Sequence, residues 1–330
     1  MRDIYQHFDN FEKYRDVKSD LVIEGKVDNP MLTIFIPTYK RANTLETTIK
    51  SVITQKTDYA FEIVIINNDP EEGHSETEEL IERINDDRIF YYVNRENIGL
   101  CGNWNRGIEL SRCDYISMIH DDDILSPYFV ENMIEAINEK HAGIIGVNYY
   151  NFTSDNMPTF TKPSCIEYRN VSKKSFFFGT YINIAGMTVR KDLILSLGGY
   201  SEDYYPNEDT VLIYQALLRE SVVNIEHPLA GYRKEINLSL SDGTMKNIIL
   251  MMEATRRNIA KYEKFASIWL KKYDKEYLYQ YIMGANNTWG LKLNYSDIFD
   301  AVGLQGERPS RFKLLLMKIE LVIASVGGRK

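Results

Sequence analysis

From Met31 onward, short apolar, β-branched runs alternate with helical patterns, and this alternation restricts the chain to an α/β architecture built on a largely parallel sheet. Residues 33–37 read as a strand, followed by a helix with Leu45, Thr48, Ile49, Val52 and Ile53 on one face and by a second strand at 62–67. A helix carrying Leu80, Ile81 and Ile84, a strand at 89–93, a helix around 104–110 and a strand at 115–120 continue the pattern. The next helix is expected to open at Ser126-Pro127, with serine as its cap and proline at its first position, before the chain returns to the sheet at 143–148. A strand at 184–190 and a helix at 210–220 complete the α/β part. Residues 1–30 show little periodicity and read as an N-terminal extension, with the ordered fold starting near Met31. The α/β domain then spans 31–241, and 242–330 is a helical region rich in helix formers.

With 330 residues and 44% hydrophobic content, the chain has enough material for such a domain and a smaller helical partner. A net charge of −8 argues against nucleic acid as a partner, because that binding relies on clustered Lys and Arg neutralising phosphates. Cys101, Cys113 and Cys165 are odd in number and form no zinc or CxxC pattern, which fits a reducing compartment. The charged N-terminus lacks a secretory apolar run, and no long uncharged segment is present, so a cytoplasmic location is expected.

The sharpest chemical cluster is His120-Asp121-Asp122-Asp123, at the C-terminal end of an expected strand. In open parallel sheets that edge is where ligands bind. Adjacent carboxylates repel one another unless a cation compensates, and a hard divalent ion shared with phosphate oxygens would do so. A solvated acidic turn at the start of the following helix satisfies the same pattern. The run 36–41 ends the first strand on the same edge of the sheet.

Taken in order, Ile36-Pro37-Thr38-Tyr39-Lys40-Arg41, Glu62-Ile63-Val64-Ile65-Ile66-Asn67-Asn68-Asp69, Asn97-Ile98-Gly99 with Asn105-Arg106-Gly107, and Asp121-Asp122-Asp123 before Pro127 resemble the family 2 glycosyltransferases. The resemblance covers roughly residues 31–240 and implies a GT-A fold, a Rossmann-like, mainly parallel sheet with helices on both faces, here followed by the C-terminal helical region. It further implies that Pro37, Thr38 and Tyr39 line a nucleotide-base pocket, and that Asn67 stands where many relatives carry a base-binding aspartate. An amide there can still read a uracil or thymine edge, although strand-end turn chemistry would explain the residue equally. Arg41, Asn97, Gly99 and Asn103 join the expected donor-binding set. Asp122 is the expected metal ligand, Asp121 the contact to ribose, and Asp123 a further ligand candidate; His120 occupies a position where relatives often have the first aspartate.

By the same resemblance, Mn²⁺ or Mg²⁺ bridges the diphosphate of a nucleotide sugar, with UDP favoured over dTDP as its carrier. Gly198-Gly199-Tyr200 precedes Asn207-Glu208-Asp209, which matches the family's Glu-Asp motif and makes Asp209 the general base of an inverting transfer, with Glu208 beside it. A helix-capping carboxylate would fit the same residues. Tyr232-Arg233-Lys234-Glu235 resembles a segment in which relatives often end on histidine, so Glu235 becomes a third metal-ligand candidate and Arg233 or Lys234 a phosphate contact; an exposed charged turn fits the same residues. Ile184-Ala185-Gly186-Met187 resembles the strand bordering the acceptor, though its small residues also suit close packing. Trp104 reads as core, and His74, His141 and His227 as surface or structural residues.

Residues 311–326 form an apolar helical pattern too short and too charged to cross a bilayer. The expectation is a helix lying on the membrane surface, helped by Arg329 and Lys330 and close to a lipid-linked acceptor; packing on the domain or against a second copy in a homodimer is the alternative. The expected activity is transfer of one hexosyl or N-acetylhexosaminyl unit to a glycan or lipid-linked acceptor in surface-polysaccharide or glycoconjugate synthesis. The competing expectations are a catalytically silent binding protein on the same scaffold and a sugar nucleotidyltransferase, although the latter needs a glycine-rich basic loop that 33–41 lacks.

Overall fold

The structure is a computed structural model and describes residues 2–71, 76–179, 182–235, 241–304 and 307–326. Its ordered chain begins well before Met31. Strand β1 (Ser19–Ile23) pairs antiparallel with β4 (Ile89–Asn94) and forms one edge of the sheet. An edge strand with largely exposed side chains needs no apolar alternation, which is why the sequence shows none there. Ahead of it, Ile4 is fully buried in the core, Asn10 N donates to Gly198 O at 2.9 Å, and Arg106 reaches out of its helix to the carbonyls of Tyr14 and Val17. Residues 2–23 are therefore built into the domain.

Strands β2 (Leu32–Thr38) and β3 (Phe61–Asn67) are buried along their whole length, as central strands covered on both faces must be. β2 pairs in parallel with β3 and with β5 (Tyr115–Met118), and β3 pairs in parallel with β4. Beyond β5 the sheet takes in β6 (Ile124–Leu125), β7 (Ile144–Phe152), β8 (Tyr168–Val171), β9 (Met187–Arg190) and β10 (Val222–Arg233). Its order is β1-β4-β3-β2-β5-β9-β7-β10-β6, with β8 also on β10. β9 runs antiparallel to both β5 and β7, while β7 and β10 are parallel. The result is a mixed, mainly parallel sheet of the expected class.

Alternate strand residues feed two cores, one on each face. Ile34, Ile36, Ile63 and Ile65 pack with α1 (Ala42–Ile53), α2 (Glu76–Ile84) and, farther along the same face, α4 (Phe129–Lys140). Phe35, Val64, Ile66, Ile116 and Met118 face α3 (Gly99–Leu110), α6 (Lys191–Leu197) and α7 (Glu208–Leu217). The closest approach is at Gly107 of α3, where an added Cβ would sit 2.2 Å from the Phe35 ring. After the short α5 (Lys173–Phe177), the C-terminal region consists of α8 (Asp242–Tyr262), α9 (Lys264–Trp289), α10 (Tyr295–Ala301) and α11 (Arg311–Val326). Ile259, Trp269, Tyr273 and Met317 from this region belong to the α3/α6/α7 core, so the helices extend the α/β unit. Ile249, Ile282, Ile298 and Phe299 form a smaller core of their own.

Two helix starts differ from the sequence reading. α4 begins at Phe129, because Ser126 is held by Leu229 O through its own N–H while its hydroxyl accepts from Tyr128 N in a preceding turn. α7 begins at Glu208, two residues early, so the Glu-Asp pair lies inside its first turn. All three cysteines are free. Among the described residues no helix is long and apolar enough to cross a membrane.

Candidate active site

The chain leaves β5 at Met118 and makes a tight turn through the acidic run before β6 pairs antiparallel with the end of β10. That short pairing fixes where the carboxylates point. Thr38 at the end of β2 donates its hydroxyl to Asp121 Oδ2 at 2.8 Å, and Arg41 reaches Asp121 Oδ1 at 3.3 Å and Asp122 Oδ2 at 2.8 Å. Asp123 accepts the Arg233 backbone N–H on Oδ1 at 2.9 Å, while its own carbonyl takes the Thr48 hydroxyl at 2.7 Å. All three aspartates are buried. Burial raises the pKa of Asp121 against the opposing pull of Arg41, and raises that of Asp123 further, with the negative charge of Asp122 adding to the effect.

Two polar atoms in this turn have no partner: Asp123 Oδ2 and His120 Nε2 are buried without a hydrogen bond. His120, Asp122 and Asp123 each offer a ligand atom, and these atoms lie within 4.8 Å of one another. Orphaned buried ligand atoms of this kind suit a divalent cation, which would relieve both the desolvation and the mutual repulsion. His120 is the member that the carboxylate-based reading missed. The signal was present in its position, since an imidazole at the first place of an acidic motif is still a metal-ligand type. The His120 ring stacks on Trp104 with centroids 5.4 Å apart, and Trp104 in turn meets the Tyr200 ring edge-on at 4.9 Å. Trp104 is thus buried, as expected, but directly behind the site.

Glu208 and Asp209 lie near this aromatic stack, close enough for their charges to act on the Tyr200 hydroxyl. Asp209 Oδ1 accepts from the N–H of Thr210 at 2.6 Å, and the Asn207 side chain turns away to Thr255, so the first turn of α7 has no side-chain cap from Asn207. Glu208 Oε2 is buried without a partner. Burial raises the pKa of both carboxyls; the charge of Asp209 raises Glu208 further, while His120 is near enough to pull Asp209 down. Two close carboxyls in a poorly solvated place share protons as a pair. His120 therefore connects the acidic turn to the Glu-Asp pair.

The other expected site residues divide by what already holds them. Tyr39 is exposed beside the site, with the Lys40 ammonium 5.3 Å from its ring centroid, whereas Pro37 and Thr38 are buried beneath it. Asn67 is fully buried: its amide donates to the Tyr91 hydroxyl and accepts from Asp69 N, which is strand-end turn chemistry. Asn103 is likewise interior, accepting from Asn94 and donating to Ile66 O, and so ties α3 to the sheet. Asn97 accepts from Asn68 and from the N–H of Gly99, whose φ of +72° opens α3. This asparagine network shapes the rim of the site, with Asn97 its exposed member.

Arg233 is a brace. Its guanidinium donates to Asp122 O and to Ser154 Oγ, both at 2.8 Å, and lies over the Phe152 ring at 4.6 Å. Glu235 is drawn away from the acidic turn, because its carboxylate accepts the N–H and hydroxyl of Ser154 and pairs with Arg233 at 3.4 Å. Among the described residues the metal-competent group does not include it. Gly186, with φ of +73°, packs against Phe129, so that segment is small for steric reasons. His141 ends α4 in the left-handed conformation and His227 bonds Thr161 O; His74 lies outside the described residues.

The mixed sheet thus carries an acidic turn and a buried carboxyl pair, and comparison with known proteins gives the class of enzyme to which they belong. Residues 33–196 match the family model described as Glycosyl transferase family 2, and the chain carries a family 2 glycosyltransferase domain. It is 25% identical over 221 residues to the GalNAc(5)-diNAcBac-PP-undecaprenol beta-1,3-glucosyltransferase of Campylobacter jejuni, covering 66% of this chain and 69% of that one. It is 27% identical over 218 residues to Glycosyltransferase GlyA of Streptococcus pneumoniae, covering 61% of this chain but 30% of the relative. Among solved structures, Staphylococcus aureus TarS 1-349 with UDP-GlcNAc superposes with a TM-score of 0.56 at 12% identity, covering 89% and 81% of the two chains. The mannosyltransferase PcManGT of Pyrobaculum calidifontis, solved with GDP-Man and Mn²⁺, gives 0.56 at 13% identity, covering 96% and 92%.

Proposed function

We propose that this enzyme is an inverting glycosyltransferase that moves one sugar from a nucleotide-diphosphate donor, UDP-sugar in preference to dTDP-sugar, to a glycan or lipid-linked acceptor of surface-polysaccharide or glycoconjugate synthesis. The observation that carries this reading is the group of ligand atoms of His120, Asp122 and Asp123 within 4.8 Å of one another, with the buried Glu208-Asp209 pair near enough for His120 to act on Asp209. In it, Asp122 and Asp123 with His120 hold a divalent ion, for which the imidazole favours Mn²⁺ over Mg²⁺. When bound, the ion neutralises the diphosphate and stabilises the departing nucleotide. Asp209 takes the proton of the acceptor hydroxyl, and Glu208 buffers its charge. Tyr39 offers a ring to the base, and Asp121 is directed to the ribose. A hexosyl or N-acetylhexosaminyl donor accords with the glucosyltransferase relative and with the UDP-GlcNAc complex of TarS.

We also infer contact with the surface of an anionic membrane through α11. One face of α11 packs on α9, with Met317 buried and Lys313 paired to Glu276 at 3.0 Å; the opposite face exposes Phe312, Leu315, Leu316 and Ile319, flanked by Arg311 and Lys318. Arg329 and Lys330 lie outside the described residues.

The donor reading is tested by thermal shift against UDP, dTDP and GDP and their sugars, with and without Mn²⁺. Metal-dependent stabilisation by UDP-sugar that disappears in Asp122→Ala is the expected result. No response to any nucleotide, with the fold intact, would favour a silent binding protein.

A further inference from the structure

Beyond the chemical site, the helical region holds a pocket of about 350 Å³ between α8, α9 and α11. That volume lies at the lower end of the range of roughly 300–1,000 Å³ found for small-molecule sites. Much of its lining comes from a single face of α9, where Tyr277, Tyr281, Gly284 and Thr288 recur at helical spacing, with Gln280 beside them and Trp289 at the end.

Three features point to a ligand. Gly284 sits inside a helix, where glycine costs about 1 kcal/mol relative to alanine. No packing demands it, because the position is exposed and an added Cβ would meet nothing within 4 Å; the missing side chain leaves the pocket open at this point. Gln280 Oε1 is buried with no hydrogen-bond partner, a condition that costs about 1–3 kcal/mol until a donor arrives. Burial pushes the Tyr281 hydroxyl up to about 12, so beside the Gln280 acceptor it stays a donor at neutral pH. Finally, the Trp289 ring lies under the Lys234 ammonium at 4.9 Å, and Lys234 directly follows Arg233, the brace of the acidic turn. The pocket is thus in contact, through Lys234, with the segment that carries Arg233.

A hydrocarbon chain would fit the aromatic walls but leave Gln280 Oε1 unsatisfied, whereas a pyranose supplies both an apolar face for the rings and hydroxyl donors for the amide. We propose that this pocket is a saccharide subsite that holds a sugar of an oligosaccharide acceptor, away from the hydroxyl that reacts. The proposal rests on the glycosyltransferase reading for its role and on the pocket alone for binding.

The test uses the full chain without donor on an array of bacterial surface oligosaccharides, with farnesyl phosphate as a lipid probe. Binding of one saccharide class is expected, weakened about tenfold or more in Gly284→Leu and Gln280→Leu and retained in Gly284→Ala. Gly284→Leu fills open space with a better helix former, so its melting temperature should equal or exceed the parent's, which separates blockage from misfolding. With an oligosaccharide acceptor the same variant should raise KM and leave kcat unchanged. Silence across the array, saccharide binding indifferent to Gly284→Leu, or farnesyl phosphate binding blocked by it in place of saccharide would each overturn the proposal. The UDP-dependent thermal shift, read on the same preparations, keeps the two ideas apart: array silence with that shift intact removes only the subsite, and loss of the shift with saccharide binding intact removes only the donor reading.

Discussion

Replacing Arg233 by methionine separates a brace from a phosphate ligand. The side chain is almost wholly buried, and the substitution removes two 2.8 Å bonds, to Asp122 O and Ser154 Oγ, together with the ion pair to Glu235, while keeping an apolar stem against Phe152. A bond to a charged donor is worth about 1.5–3 kcal/mol, and a buried carbonyl left unpaired costs about 1–3 kcal/mol; these overlap, so the expected loss is about 3 kcal/mol. At about 2.1 cal/mol/K of unfolding entropy per residue, 1 kcal/mol is worth about 1.4 °C in a chain of 330 residues, so the melting temperature should fall by about 4 °C. The assay is thermal unfolding in EDTA, followed by UDP titration with Mn²⁺. Donor affinity should fall only as far as the acidic turn loosens, and Arg233→Lys should restore part of the stability. A melting temperature within about 2 °C of the parent, with UDP affinity reduced more than about tenfold, would refute the reasoning and return Arg233 to the phosphate.

Asp209→Asn should lower kcat by about 10²–10⁴-fold with donor binding preserved, measured by product formation beside UDP titration; unchanged kcat would remove Asp209 as the base. The carboxyls of Glu208, Asp209 and Asp123 have folded pKa values raised above their unfolded ones, Glu208 to about 8, so the folded state holds their protons more tightly. The stabilising contribution of Glu208 is full below pH ~4.5 and is lost as pH rises through about 8, and those of Asp209 and Asp123 are likewise lost as pH rises; the metal-free melting temperature should fall as pH is raised, and Glu208→Gln should flatten the fall. Arg41→Met removes the cation shared by Asp121 and Asp122, so Mn²⁺ should bind more tightly in the absence of nucleotide while UDP binds more weakly, as titration calorimetry would show; weaker Mn²⁺ binding would contradict the pairing. Flotation with phosphatidylglycerol vesicles should retain the parent and release Phe312→Ser/Ile319→Ser, and equal release of both would dismiss the membrane contact.

What the sequence revealed follows from burial. β2 and β3 are covered on both faces, so they appear as unbroken apolar runs, and α1 shows its stripe because one face alone is buried. β1 escaped notice because an exposed edge strand has no such constraint. Within the site, residue types were legible and partnerships were not. Thr38 with Asp121, Thr48 with the Asp123 carbonyl and Arg233 with the Asp122 carbonyl join positions 75–111 residues apart, and depend on a two-residue pairing of β6 with β10 that no periodicity announces. Asn67 and Asn103 had the chemistry of ligand contacts, but their amides are consumed by Tyr91, Asp69, Asn94 and Ile66.

The two arginines at the acidic turn explain how three aspartates can be packed together before any ion arrives. Arg233 is interior, and its guanidinium bonds a backbone carbonyl and a serine and pairs with Glu235, so it helps set the shape of the turn. Arg41 is partly exposed and sits on two carboxylates, one of which belongs to the metal-competent group. A divalent ion held by His120, Asp122 and Asp123 would compete with Arg41 for Asp122, and a diphosphate bound beside it would give the displaced guanidinium a new anion to meet. On the proposed reading, metal and nucleotide would then favour each other's binding. The rigid brace and the exchangeable cation are different residues, and that separation lets the turn keep its geometry while its counter-ion changes.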